Sequence, residues 1–115
     1  MIYTSYYAHY KGDKGVAISL WLPKWYPTKI EHFPALAPTQ QILQKWKNSD
    51  KTDADKQEYV EAYINDVLAK LDVHTVAKQL DGKVLLCYER ATDFCHRHIV
   101  RQWLNQNGYK CEELN

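Results

Sequence analysis

The stretch Lys83-Val-Leu-Leu-Cys-Tyr-Glu-Arg-Ala-Thr-Asp-Phe-Cys-His-Arg-His-Ile-Val-Arg-Gln-Trp-Leu104 decides how this chain folds. Val84, Leu85 and Leu86 are an unbroken apolar run, the pattern of a strand covered on both faces. The strand ends in Cys87 and Glu89, which share one side because side chains alternate. A polar turn follows, and Asp93 is the natural N-cap of a helix, placing Phe94, Cys95 and His96 in its first turn. The free N–H groups and positive dipole end of that helix then lie beside the C-terminal end of the strand. In open α/β sheets ligands bind there. The expected fold is α/β: three layers, with a mostly parallel sheet of four to five strands and helices on both faces.

Working outward, Ile2–Tyr6 is β-rich and reads as a first strand, whose end offers Thr4, Ser5, Tyr6 and Tyr7 as hydrogen-bonding groups. Val16–Leu22 reads as a second strand closed by Pro23. The link between them is short for a parallel crossover, so an antiparallel pair is the alternative. Pro23–Pro38 holds all four prolines with Trp25, Tyr26, His32 and Phe33. It is long for a connection without regular structure, and such loops are lids, binding loops or aromatic segments that pack back on the body. Thr39 caps a short helix with Ile42, Leu43 and Trp46 on one side. From Asp55 to Leu71 the apolar spacing of three and four is strongest, and Thr52 with Asp55 resembles a capping box. A third helix runs from about His74 to Leu80 before Gly82. The last helix runs from Phe94 to about Asn107 before Gly108, and Tyr109–Leu114 reads as a final strand. Residues 1–115 form a single domain without internal repeats.

Composition sets limits on partners. Fifteen Lys and Arg against fourteen Asp and Glu leave a net charge of +1, which gives no electrostatic basis for nucleic-acid or polybasic membrane binding. No apolar run approaches the ~20 residues of a membrane span, and no signal peptide opens the chain. The three cysteines are an odd number without a CxxC pair, which points to free thiols in a reducing cytoplasm. Nine Tyr and four Trp are many for this length, serving either packing or a surface on which bases stack.

At about 100° per residue, Ile99, Val100, Trp103 and Leu104 form the buried stripe of the last helix. His96 projects into that stripe, Cys95 and Arg97 flank it, and His98, Arg101, Gln102 and Asn105 point to solvent. Cys95 occupies a first helical turn beside His96 and Arg97, a setting that makes a thiol acidic and nucleophilic. The bland alternative is a small buried hydrophobe. Cys87 continues the apolar strand and reads as a core-lining residue. Glu89, a carboxylate ending a buried strand, needs a partner such as Arg97 or His96. It is either half of an ion pair or a general base. The interval from Cys95 to Arg101 has phosphatase spacing, but it is helical and Arg101 turns away. A zinc site from Cys87, Cys95 and His96 is geometrically conceivable, but the cysteine spacing matches no standard structural zinc pattern, so no metal is expected. A redox disulfide between Cys87 and Cys95 depends on a separation that sequence does not give. These residues name no cofactor.

Leu86-Cys-Tyr-Glu89 followed by Phe94-Cys-His-Arg97 resembles the paired CxE and CHR signatures of the domain of unknown function 488 family, the YeaO-like group. Ile2–Tyr6 is similar to that family's N-terminal strand with its Thr-Ser element, and Ala17–Leu20 with the Pro- and Trp-Tyr-bearing stretch after it resembles a short branch. The resemblance implies a compact three-layer α/β fold. It also implies that Thr4, Ser5, Cys87, Glu89, Cys95, His96 and Arg97 gather at one end of the sheet. The commoner branch carries a glycine where Tyr6 or Tyr7 stands here, and a bulky ring there reshapes the pocket.

The functional expectation is a small cytoplasmic enzyme acting on an anionic small molecule such as a nucleotide or nucleoside. Arg97 and the helix N-terminus hold the anion, Thr4, Ser5 and Cys87 line the site, Glu89 and His96 move protons, and Cys95 is the nucleophile. The alternatives are a non-catalytic nucleotide- or anion-binding module and a thiol redox sensor.

Overall fold

The computed structural model describes residues 1–26, 30–90 and 92–114. The parts of the expected proline-rich loop at 27–29 and of the polar turn at 91 lie outside the described residues. Val84–Cys87 form the strand β4, buried at every position. It takes the centre of a five-stranded sheet made with β1 (Ile2–Tyr6), β2 (Gly15–Ala17), β3 (Glu31–His32) and β5 (Cys111–Glu113), in the order β3-β2-β4-β1-β5. Each neighbouring pair is parallel. Two-sided burial is what an unbroken Val-Leu-Leu run requires.

β1 and β2 do not pair with each other. Both flank β4, with Thr4 and Val16 each opposite Leu85, so the antiparallel alternative is overturned. The step from β1 over β4 to β2 covers about 10 Å, two strand spacings, which the connecting turn at Tyr7–Lys14 spans without a helix. β2 ends earlier than its apolar sequence suggests. Ile18 N–H makes one more bond to the Leu86 carbonyl at 3.0 Å, and Ser19 Oγ then donates to the Trp21 carbonyl at 2.8 Å, turning the chain out of the sheet. The segment 23–38, expected to lack regular structure, contributes the edge strand β3 and a 3₁₀ turn at Pro34–Leu36.

Among the described residues there are four α-helices: α1 (Gln40–Lys47), α2 (Asp53–Asp66), α3 (Val73–Leu80) and α4 (His96–Gln106). Thr39 caps α1 by accepting from Ile42 N–H, and Thr52 with Asp55 forms the full capping box of α2. α2 is shorter than its apolar spacing indicates, giving way to a 3₁₀ turn at Leu68–Lys70. The steps β3 to β4 and β4 to β5 run in one direction along the sheet, and β1 to β2 and β2 to β3 in the other. Right-handed crossovers therefore place α1–α4 over one face and the shorter connections over the opposite face. Packing agrees. Val76, Leu80, Val100, Leu104 and Tyr63 join Ile2, Val16 and Leu85 in one cluster. Val84, Leu86 and Ala17 meet Tyr7, Tyr3, Tyr10, Tyr26 and Ile30 in another. The three-layer α/β architecture holds, with one difference from expectation: the second covering layer is a tyrosine-rich loop layer rather than helix.

The start of α4 differs as well. Its N-cap is Cys95, not Asp93, and no side chain caps it. Asp93 N–H instead bonds the Arg90 carbonyl at 3.1 Å. The Phe94 ring packs 4.8 Å from Trp46 and 5.0 Å from Tyr59, centroid to centroid, and holds residue 94 outside the helix. No helix among the described residues is long and apolar enough to cross a membrane.

Candidate functional site

The outgoing connections of β2 and β4 leave to opposite faces of the sheet, which opens a crevice between the C-terminal ends of these two strands. A cleft of about 350 Å³ occupies it. Its floor is Cys87, Cys95 and His96, all buried. Trp21, Leu43, Trp46, Tyr59, Tyr88 and Phe94 wall it, and Lys47 and Glu89 stand at the rim. Tyr88 keeps its place by donating from its hydroxyl to the Trp21 carbonyl at 2.9 Å, across the mouth.

The sulfurs of Cys87 and Cys95 are joined as a disulfide, with Cα atoms 7.6 Å apart. Cys95 is thus not in the first helical turn but immediately before it, placed against Cys87 rather than open to solvent. His96 enters the core as its position on the apolar stripe predicts. Its Nε2 bonds the Ile18 carbonyl at 2.8 Å, and its Nδ1 lies 3.8 Å from Cys95 Sγ. Burial pushes its pKa down to about 4, with the Ile18 carbonyl opposing, so the ring is neutral at physiological pH.

Arg97 has no exposed surface, and it makes four hydrogen bonds inside the protein. Nη2 and Nε donate to the two carboxylate oxygens of Glu113 at 2.9 and 3.1 Å. Nη1 donates to Cys87 Sγ at 3.0 Å and to the Glu89 carbonyl at 2.6 Å. Glu89 therefore meets Arg97 through its backbone and not through its carboxylate. That carboxylate is at the exposed rim, yet the surrounding protein desolvates it enough to raise its pKa above the ordinary value, with its own N–H and the Arg97 charge opposing. Thr4 joins the network by donating to Glu113 Oε1 at 2.5 Å. Ser5 does not. Strand alternation turns it to the Leu86 side of the sheet, where its buried Oγ has no hydrogen-bond partner among the described residues. His98, expected in solvent, is half-buried, and burial lowers its pKa.

Glu113, Lys47 and the aromatic walls escape a reading confined to the signature residues. A signal for Glu113 is present: Cys111 and Glu113 are two apart on a strand, so a carboxylate shares the face of a buried cysteine and needs a cation. Burial alone would raise its pKa, but the hydrogen bonds from Arg97 and Thr4 hold it below the ordinary carboxylate value. Lys47 and Trp46 come from α1, distant in sequence, and only the chain's path over the sheet brings them here.

Residues 8–108 match the family model described as the active DUF488-N3 subclade. The chain belongs to the DUF488 family. Neither curated proteins nor solved structures give a match. In this DUF488 member the two signatures share one network: Arg97 of the Cys-His-Arg element bonds both Cys87 and the Glu89 backbone.

Proposed function

We propose that this DUF488 protein is an enzyme acting on a planar, nucleoside-like small molecule that bears an anionic group. The observation that carries this reading is the convergence of two sulfurs and a neutral imidazole on the floor of an aromatic-walled cleft, with a carboxyl of raised pKa at its rim. A flat ring stacks on the tryptophan and tyrosine faces. Lys47 takes the anionic substituent, since Arg97 is committed to Glu113, and the positive end of α4 adds to the field. Glu89 moves a proton to or from the reacting ligand, the sulfur–imidazole floor supplies the reacting group, and Arg97, Glu113 and Thr4 are positioning residues.

The test is titration of the reduced protein with nucleosides and nucleotides, following tryptophan fluorescence, with products analysed by mass spectrometry. Glu89→Gln should bind as wild type does and lose about 100-fold or more in turnover. Lys47→Ala should weaken nucleotides and spare uncharged nucleosides. If no member of either class quenches fluorescence, the proposed ligand class is wrong. Saturable binding without turnover by wild type makes the protein a binding module instead. The joined sulfurs favour a second reading, a thiol redox sensor. It requires a reversible mass loss of about two hydrogens on mild oxidation, abolished by Cys87→Ser or Cys95→Ser.

A further inference from the structure

One ligand atom from each of Cys87, Cys95 and His96 lies within 4.8 Å of the others, and all three residues are buried. The Cα atoms of the two cysteines are 7.6 Å apart, whereas disulfides usually span about 4.4–6.8 Å. Two zinc–sulfur bonds of about 2.3 Å at a tetrahedral centre hold sulfurs about 3.8 Å apart, which fits a wider backbone spacing. His96 is oriented as a ligand already. The Ile18 carbonyl can only accept, so the 2.8 Å bond from Nε2 makes Nε2 the protonated nitrogen. Nδ1 keeps its lone pair, and it is the nitrogen that faces Cys95 Sγ. A ring N–H given to a backbone carbonyl is the outer contact that fixes ligating histidines. Cys87 has an outer contact too, because the Arg97 guanidinium donates to its sulfur and favours the thiolate.

We propose that, once an external dithiol has reduced the Cys87–Cys95 disulfide and is itself oxidised to a disulfide, the two thiols release their protons to solvent and, with His96 Nδ1, hold one thiophilic divalent cation of the zinc class. Two thiolates neutralise a divalent ion, and Arg97 is already balanced by Glu113, so the buried site is electrically neutral. Three protein ligands leave a fourth position open, as in catalytic rather than structural zinc sites, and the cleft adjoins them. This rests on the enzyme reading for the role of that position. With the cation bound, a water at that position would give one proton to the Glu89 carboxylate as its oxygen bonds a C=N or C=O carbon of the ligand; the π electrons would pass to the nitrogen or oxygen, which would take the proton back from Glu89. Cys95 is then a ligand atom, not the attacking group.

The experiment is anaerobic titration of the reduced full chain with Co²⁺, without substrate. One equivalent should produce a sulfur-to-cobalt charge-transfer absorption that Zn²⁺ abolishes. Zn²⁺ should also protect Cys87 and Cys95 from alkylation, read cysteine by cysteine in wild type. Cys87→Ser, Cys95→Ser and His96→Gln should each lose the absorption while keeping a wild-type far-ultraviolet spectrum, and Cys111→Ser should retain it. Absence of the absorption in wild type, with alkylation unaffected by Zn²⁺, overturns the site. So does an absorption that survives both Cys87→Ser and Cys95→Ser. Because no nucleoside is present, failure of the ligand class and failure of the metal site are read separately.

Discussion

With no exposed surface, the Arg97 guanidinium carries a charge into the interior and distributes its donors over Glu113, Cys87 and the Glu89 carbonyl. Removing one member of a buried ion pair leaves the other uncompensated, so Arg97→Met should cost about 3–5 kcal/mol in urea unfolding. Arg97→Met with Glu113→Leu should recover much of that loss. Equal destabilisation by the single and double variants would show that the cost is packing and not the stranded carboxylate. His96 contributes through protonation. Its folded pKa is about 4 against an ordinary 6.5, so in this window unfolding takes up a proton and stability falls as pH falls. Above 6.5 the contribution is complete. Glu113, with a lowered pKa, loses its contribution at lower pH, as acid passes the ordinary carboxylate range and then its depressed folded value. His96→Gln should therefore reduce the slope of the stability profile between pH 6.5 and about 4, leaving the share of His98, whose pKa burial also lowers, and the more acid limb in place. An unchanged slope in the upper window would mean that His96 is not buried neutral.

At the scale of elements, the end of the sheet is assembled by α4 reaching over its own continuation. Asn105 acts as a substitute strand for β5: its Nδ2 donates to the Cys111 carbonyl at 3.0 Å and its Oδ1 accepts from Cys111 N–H at 2.9 Å. Losing two such bonds at about 1 kcal/mol each should loosen β5 and, with it, Glu113. Asn105→Ala should thus raise amide exchange at Cys111–Glu113 more than in β4, by hydrogen-exchange mass spectrometry. Uniform protection in both strands would refute the clamp. These elements are unevenly legible in the sequence. β4 is plain because Val-Leu-Leu-Cys can be satisfied only by burial on both faces, and the α1 and α2 caps follow from Thr39 and Thr52. The first residue of α4 is not plain. Asp93 has the right chemistry for an N-cap, but tertiary packing of the Phe94 ring between Trp46 and Tyr59 outweighs local preference. The site is legible to the same degree. Cys87, Cys95 and His96 fall together, whereas Glu113 depends on a short edge strand and Ser5 on a one-residue parity that its neighbour Thr4 does not share.

At the scale of the molecule, the crossovers put helices over one face and aromatic loops over the other, and the cleft lies where the two coverings part. Its walls differ in what they do for the fold. Trp46 packs 4.8 Å from Phe94 and 5.8 Å from Tyr59, so it serves both the core and the cleft. Trp21 is 64% exposed at the cleft mouth, and the fold gains little from it. On the proposed reading, Trp21 offers a flat ligand a stacking face at the mouth of the cleft. Trp21→Ala should leave the urea midpoint within about 0.5 kcal/mol of wild type. It should also weaken nucleoside binding by about 1–3 kcal/mol, which is roughly 5- to 150-fold in Kd. Trp46→Phe separates the two roles from the other side, by weakening binding and lowering stability together. A Trp21→Ala variant that binds nucleosides as wild type does would remove the mouth from the ligand site and confine recognition to the floor and the Trp46 wall.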